Sequence, residues 1–210
     1  MSHGHSHGGC NPGDHSHEHP DLELGKMYTL FTKIDIESVQ CLNESIDGSA
    51  KRIFKPWDER KDKERYVESD TDEELLINIP FTGSVKLKGI IVIGGEEDSH
   101  PSKMRVFKNK SFMTFDDTAM EAEQEFELHP DPEGVLEYNP KIARFNNVND
   151  LSLHFPANFG SETTRIYYIG LKGDFTEVNR QEVVIANYEL KPNPADHKQD
   201  ALDPPASFIS

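Results

Sequence analysis

Apolar and polar residues alternate with a period of two through most of the middle of the chain. In Leu75-Leu76-Ile77-Asn78-Ile79-Pro80-Phe81, the set Leu75, Ile77, Ile79 and Phe81 falls on one face of an extended segment, because successive strand side chains point to opposite sides. From Val85, apolar Val85 and Leu87 alternate with Lys86 and Lys88, and the run Ile90 to Ile93 is then apolar on both faces, the pattern of a covered strand. Thr82-Gly83-Ser84 between the two runs reads as a hairpin turn. Met104 to Lys108, Leu151 to Phe155 and Arg165 to Leu171 are three further strands, the last rich in β-branched and aromatic residues. Weaker strand patterns cover Glu125 to Leu128, Val135 to Tyr138, Lys141 to Phe145 and Glu182 to Asn187. Helix signals are few. Asp35 is placed to cap a short helix through Leu42, and Trp57 to Arg65 holds helix formers after Pro56 without an apolar stripe. Many short strands separated by Gly, Pro and Asn predict an all-β sandwich or barrel.

The pattern stops at both ends. Up to Leu24 the chain is mostly His, Gly, Ser and Pro, with only Met1, Cys10, Leu22 and Leu24 apolar. Such a segment cannot bury enough surface to offset the entropy of ordering it. From Lys191 onward Pro192, Pro194, Pro204 and Pro205 oppose helix and sheet alike. The expected organisation is therefore a disordered His/Gly-rich tail over 1–25, a β-sandwich domain over 26–190 and a flexible tail over 191–210. Phe208-Ile209 ends that second tail as an apolar pair and is a candidate docking motif, with His197 a further candidate contact.

Charge narrows the partners. Of 210 residues, 22 are Lys or Arg and 38 Asp or Glu, giving a net charge of −16. A surface this acidic repels nucleic acid and anionic membrane, whose recognition needs cationic side chains. The longest aliphatic run is Ile90 to Ile93, against the roughly 20 apolar residues a spanning helix needs. The opening residues hold no apolar signal-peptide core. Two cysteines, Cys10 and Cys41, make no disulfide framework, so a reducing compartment is expected.

Candidate chemistry is sparse. His3, His5, His7, His15, His17 and His19 lie in the first tail, and clustered imidazoles capture Zn, Cu or Ni. Their spacing does not define a closed tetrahedral shell, and no CxxC supports one. Cys41 has no basic partner near in sequence and reads as packing. Asp70, Asp72, Glu73 and Glu74 read as solvated turn residues without an EF-hand pattern. His154 faces away from Leu151, Leu153 and Phe155 and is expected exposed or internally hydrogen-bonded. No G-x-S-x-G, P-loop, G-x-G-x-x-G or H-E-x-x-H motif occurs. No catalytic residue and no cofactor are assigned.

A specific resemblance emerges from the segments taken in order. Cys41 to Ser45 (CLNES) comes first, then Glu68 to Ile77 (ESDTDEELLI) running into Ile79-Pro80-Phe81 and Val85-Lys86-Leu87. Met104 to Asn109 (MRVFKN), Phe115-Asp116-Asp117, Arg144 to Val148 (RFNNV) and Thr163 to Gly173 (TTRIYYIGLKG) follow. Together they resemble the PITH domain, the proteasome-interacting C-terminal domain of thioredoxin-like proteins. The His-Gly start, Asn193 to His197 and Phe208-Ile209-Ser210 are similar to stand-alone members of that family. The resemblance implies a jelly-roll β-sandwich similar to galactose-binding-like domains. It also implies a non-catalytic adaptor for the regulatory particle of the 26S proteasome, a monomer of cytoplasm and nucleus, with reported family roles in differentiation and transcriptional control. The thioredoxin domain and its CxxC have no counterpart here, so redox activity does not carry over. The alternatives are a carbohydrate-like ligand-binding module on the same fold and a metal-binding protein using the histidine tail.

Overall fold

One long strand organises the structure. In the computed structural model, which describes residues 25 and 27–177, β3 (Leu75–Gly94) runs for 20 residues without a turn. The other strands are β1 (Gln40–Leu42), β2 (Val67–Glu68), β4 (Lys103–Lys108), β5 (Gln124–Glu127), β6 (Val148–Phe155) and β7 (Arg165–Thr176). All pair antiparallel, in the order β2-β7-β3-β6-β4-β5, with β1 added on β3. The first half of β3 lies between β1 and β6, with Ile77 opposite both Cys41 and Leu153. Its second half runs along β7, with Val92 opposite Ile169. The result is a jelly-roll β-sandwich.

The period of two sets the core. Leu75, Ile77, Ile79, Phe81, Val85 and Leu87 enter one apolar cluster with Leu151, Leu153 and Phe155 of β6 and Ile166, Ile169 and Leu171 of β7. The opposite face of β3 is also covered where the sequence is apolar on both sides. Leu76 packs with Phe107, Met113 and Ala122, while Ile91 and Ile93 pack with Tyr28, Trp57, Tyr167 and Tyr168. Asn78 is the polar exception on that face. Its amide donates to the Met113 carbonyl at 2.9 Å and accepts from Ser152 Oγ at 2.7 Å, as a buried amide must.

Several local expectations are corrected. Thr82-Gly83-Ser84 is not a hairpin turn but extended backbone within β3. Gly83 is there for close approach, since a Cβ would lie 2.7 Å from both Phe175 Cζ and the Thr176 carbonyl oxygen. The helix expected over Asp35 to Leu42 is a single 3-10 turn, Ile36–Ser38, followed by β1. Asp35 accepts from Ser38 Oγ at 2.8 Å instead of capping backbone N–H groups. Val39 and Cys41, two apart, both pack on the main cluster, so the strand period wins. Only Trp57–Glu59 of the second helical stretch is helical, again 3-10. Val135 to Tyr138 contributes one bridge, Tyr138 to Ile90, and Lys141 to Phe145 is turn and bend. Phe145 still plugs the core at 0% exposure, while Ile142 is left exposed, so no alternation is realised. The Glu125 to Leu128 expectation corresponds to β5. The tails and Glu182 to Asn187 lie outside the described residues.

Candidate functional site

Where β3 ends and β7 begins, three loops enclose a cavity of about 360 Å³. Ile93 and Tyr167 form part of its wall, with Gly94, Gly95 and His100 beyond the strand end and Pro130 and Pro132 from a facing loop. The strand ends are tied by the register, Ile93 opposite Tyr168 and Gly94 opposite Ile166, and by the Gly95 N–H donating to the Arg165 carbonyl at 2.7 Å. Gly94 is required by the histidine: a Cβ there would sit 2.5 Å from His100 Cδ2. The facing loop is shaped by Asp131. Its buried carboxylate accepts from the backbone N–H groups of Glu133, Gly134 and Leu136 at 3.2, 3.0 and 2.6 Å.

The third wall follows the Trp57 turn. Arg60 is 6% exposed, donates from Nε to the Glu133 carbonyl at 3.1 Å, and lies 4.0 Å over the Trp57 ring. Trp57 stacks on Tyr28 at 5.3 Å and meets Tyr168 edge-on at 6.3 Å. Its indole Nε1 is buried with no hydrogen-bond partner among the described residues. Burial pushes the Tyr168 phenol well up. Ion pairs close the rim, Lys61 with Glu133 and Lys63 with Glu96. These hydrogen-bonded ammonium groups hold Glu133 and Glu96 below the usual carboxylate range.

His100 is the distinctive group. It is 2% exposed, and its Nδ1 lies 2.7 Å from the Pro101 carbonyl oxygen. A carbonyl only accepts, so Nδ1 carries the proton and Nε2 presents a lone pair. Nε2 is buried and has no partner among the described residues. Burial holds the imidazole below its ordinary range, so the ring is neutral at pH 7.

Glu96 and Glu97 also line an adjoining polar cavity of about 290 Å³ with Glu68, Asp98 and Arg165. There Arg165 donates to both Glu68 oxygens at 2.9 Å. Glu97 and Asp98 are exposed and have no ion-pair partner among the described residues. Val135 and Leu136 continue the facing loop and are 63% and 40% exposed. The arrangement is an apolar recess with one buried acceptor, an ionic rim and an acidic flank. It suits capture of a side chain more than bond-breaking chemistry, which needs reacting groups converging on one atom.

Of the residues singled out in the sequence, His3, His5, His7, His15, His17, His19, His197, Phe208 and Ile209 lie outside the described residues. Cys41 is half-buried, with burial, then Glu44, pushing its thiol up, which agrees with packing. His154 is internally hydrogen-bonded: its Nε2 lies 2.6 Å from Glu74 Oε1. Among the described residues no group of three or more His, Cys, Asp or Glu is placed to hold a metal. His100 and the recess were not read from the sequence. The available signal was Gly94-Gly95 directly after Ile90 to Ile93, since glycines closing an apolar strand mark close approach.

Comparison with known proteins agrees with this architecture. The family model described as PITH domain matches residues 20–192. PITH domain-containing protein 1 of Xenopus laevis is 56% identical over all of both chains, and that of Homo sapiens 55%. The Danio rerio protein of the same name is 58% identical over 92% of each. Among solved structures, the CBM32-1 and CBM32-2 domains from Clostridium perfringens ZmpB in complex with GalNAc match with TM-score 0.55 and 8% identity. That match covers 74% of this chain and 39% of the other, and it concerns the fold alone. None of these family and relative names is that of an enzyme. By the family model and by relatives matched end to end, the chain belongs to the PITH domain family.

Proposed function

We propose that this protein is a non-catalytic interaction module that docks on the regulatory particle of the 26S proteasome. The observation that supports the reading best is the recess at the β3–β7 end, with its apolar wall, its ionic rim and exposed Val135 and Leu136 beside it. Protein partners are held by a few side chains anchored in such desolvated pockets and surrounded by polar contacts. The proteasome as partner rests on the family resemblance. The C-terminal tail, with His197, Phe208 and Ile209, supplies a second tethered contact, which raises effective concentration without a large rigid interface.

Carbohydrate binding on this fold calls for an open aromatic face. The single tryptophan, Trp57, is 3% exposed and covered by Tyr28 and Arg60, and the exposed rings of Phe112 and Phe159 do not line the recess, so the recess favours the protein-binding reading. The test is interferometry with the full chain immobilised and purified 26S proteasome in solution. Saturable binding is expected, weakened about tenfold or more when residues 192–210 are removed. Equal binding by the shortened chain would reject the tail's part. No binding by the full chain would reject the reading.

A further inference from the structure

We propose that the recess takes one donor-bearing aromatic side chain, an indole or phenol, from a partner segment whose next residue is Lys or Arg. The inference rests on the protein-binding reading of this site and specifies what it recognises. Two independent features lead to it.

The first is the His100 acceptor. Nε2 is a buried lone pair without a partner among the described residues, in a ring held by the Pro101 carbonyl and packed against Gly94. A buried acceptor left unmade costs free energy, which an entering N–H or O–H relieves once the recess wall shifts enough to uncover Nε2. The surrounding wall of Ile93, Tyr167, Pro130 and Pro132 favours an aromatic body carrying that donor. A recess of about 360 Å³ lies at the small end of ligand sites and suits one large side chain.

The second is charge. Glu97 and Asp98 stand on the shared flank without ion-pair partners among the described residues, beside Glu96 and Glu68. A cation arriving next to the anchored aromatic ring meets a carboxylate-rich lip. Lys61 is paired with Glu133 of the facing loop and Lys63 with Glu96 on the flank itself, so Glu97 and Asp98 are the carboxylates left for an arriving cation. The order aromatic then basic therefore matches the order recess then acidic flank, and an acidic neighbour would be repelled.

The experiment is fluorescence anisotropy of labelled Gly/Ser hexapeptides carrying Trp-Lys, Phe-Lys or Trp-Glu, titrated with the full chain. Trp-Lys is expected to bind best. Phe-Lys, which keeps the ring but lacks the donor, should be about tenfold weaker, the ratio expected for one unmade hydrogen bond in a desolvated site. Trp-Glu should be at least as weak as Phe-Lys. In His100→Phe the Trp and Phe peptides should become equal. Because that position is buried, the exposed Glu97→Lys variant provides a separate readout: it should weaken Trp-Lys and strengthen Trp-Glu. Equal binding of Trp-Lys and Phe-Lys to the unaltered chain, or no response to Glu97→Lys, would overturn the inference. If the chain binds proteasome but none of the peptides, the inference fails and the adaptor reading stands. If it binds Trp-Lys selectively but not proteasome, the inference stands and the named partner fails.

Discussion

His100 and His154 are each 2% exposed, and each uses one ring nitrogen. The other nitrogen, Nε2 of His100 and Nδ1 of His154, has no partner among the described residues. In the neutral ring that atom is an acceptor without a donor. In the imidazolium it would be a buried N–H without an acceptor, on a buried charge. Burial accordingly holds both rings below their ordinary range. Around His154, Glu74 and Glu125 favour the charged form and Arg105 opposes it. Around His100, Asp131 favours it and His129 opposes it, and in both sites burial prevails. The unfolded chain therefore takes up protons before the folded one as pH falls below about 6.5. The stabilisation is fully present above that pH and is lost toward the lower folded values. The expected outcome is a urea midpoint that falls between pH 7.5 and 5.5, with a shallower fall in His154→Gln. An identical fall in His154→Gln and His100→Gln would assign the effect to other groups. Carboxylates held low, such as Glu96 and Glu133, lose their contribution only in the more acid range. The sequence showed that His154 alternates with Leu153 and Phe155 but not that it would be enclosed. Its partner Glu74 lies 80 residues away and is brought close by the pairing of Leu76 with His154.

At the scale of elements, β3 depends on close contact with β7. Gly173 faces Leu87 where the register shifts between Leu87 and Gly89. A Cβ on Gly173 would stand 2.2 Å from the Lys86 carbonyl oxygen, which is backbone and cannot rotate away. Gly173→Ala must therefore part the two strands, and a loss of about 2–3 kcal/mol is expected, the upper range for overpacking a well-packed site. Urea denaturation of the variant against the unaltered chain measures it, and a loss below about 0.5 kcal/mol would mean that the strands separate freely there. The same contact explains how much of the fold the sequence disclosed. The alternation in Leu75 to Phe81, Leu151 to Phe155 and Arg165 to Leu171 reports burial on one face, which is a local property. Gly83 was ambiguous, because a turn and a close strand crossing both ask for a missing Cβ. Phe175 and Thr176, about 90 residues further on, decide it. Asp35 misled for a related reason: its carboxylate offers a helix cap, but the pairing of Gln40 with Asn78 draws the following residues into β1. The recess was hidden because its walls come from residues around 60, 94 and 131, which share no local pattern.

At the scale of the molecule, the histidines divide between the described domain and the terminal segments of the sequence. Six of the ten histidines lie within the first 19 residues. Within the domain no set of three or more ligands is assembled among the described residues. Metal uptake is thus expected to belong to the N-terminal segment. Imidazoles in a Gly/Ser-rich run with this spacing are expected to coordinate Zn²⁺ or Cu²⁺ in many partial arrangements, since the sequence specifies no closed tetrahedral shell. Such ligation is equally open to the unfolded chain, and a ligand that binds both states alike leaves the unfolding equilibrium unmoved. Two measurements follow on the full chain and on the chain lacking residues 1–24. Calorimetric titration with Zn²⁺ should show weak, multi-site heat in the full chain and none in the shortened one. Thermal unfolding should give the same midpoint for both, with and without Zn²⁺. A zinc-dependent rise in midpoint retained by the shortened chain would place a metal site inside the sandwich. A sharp, stoichiometric isotherm lost with the segment would make the histidines a built site and favour the metal-binding alternative over the adaptor.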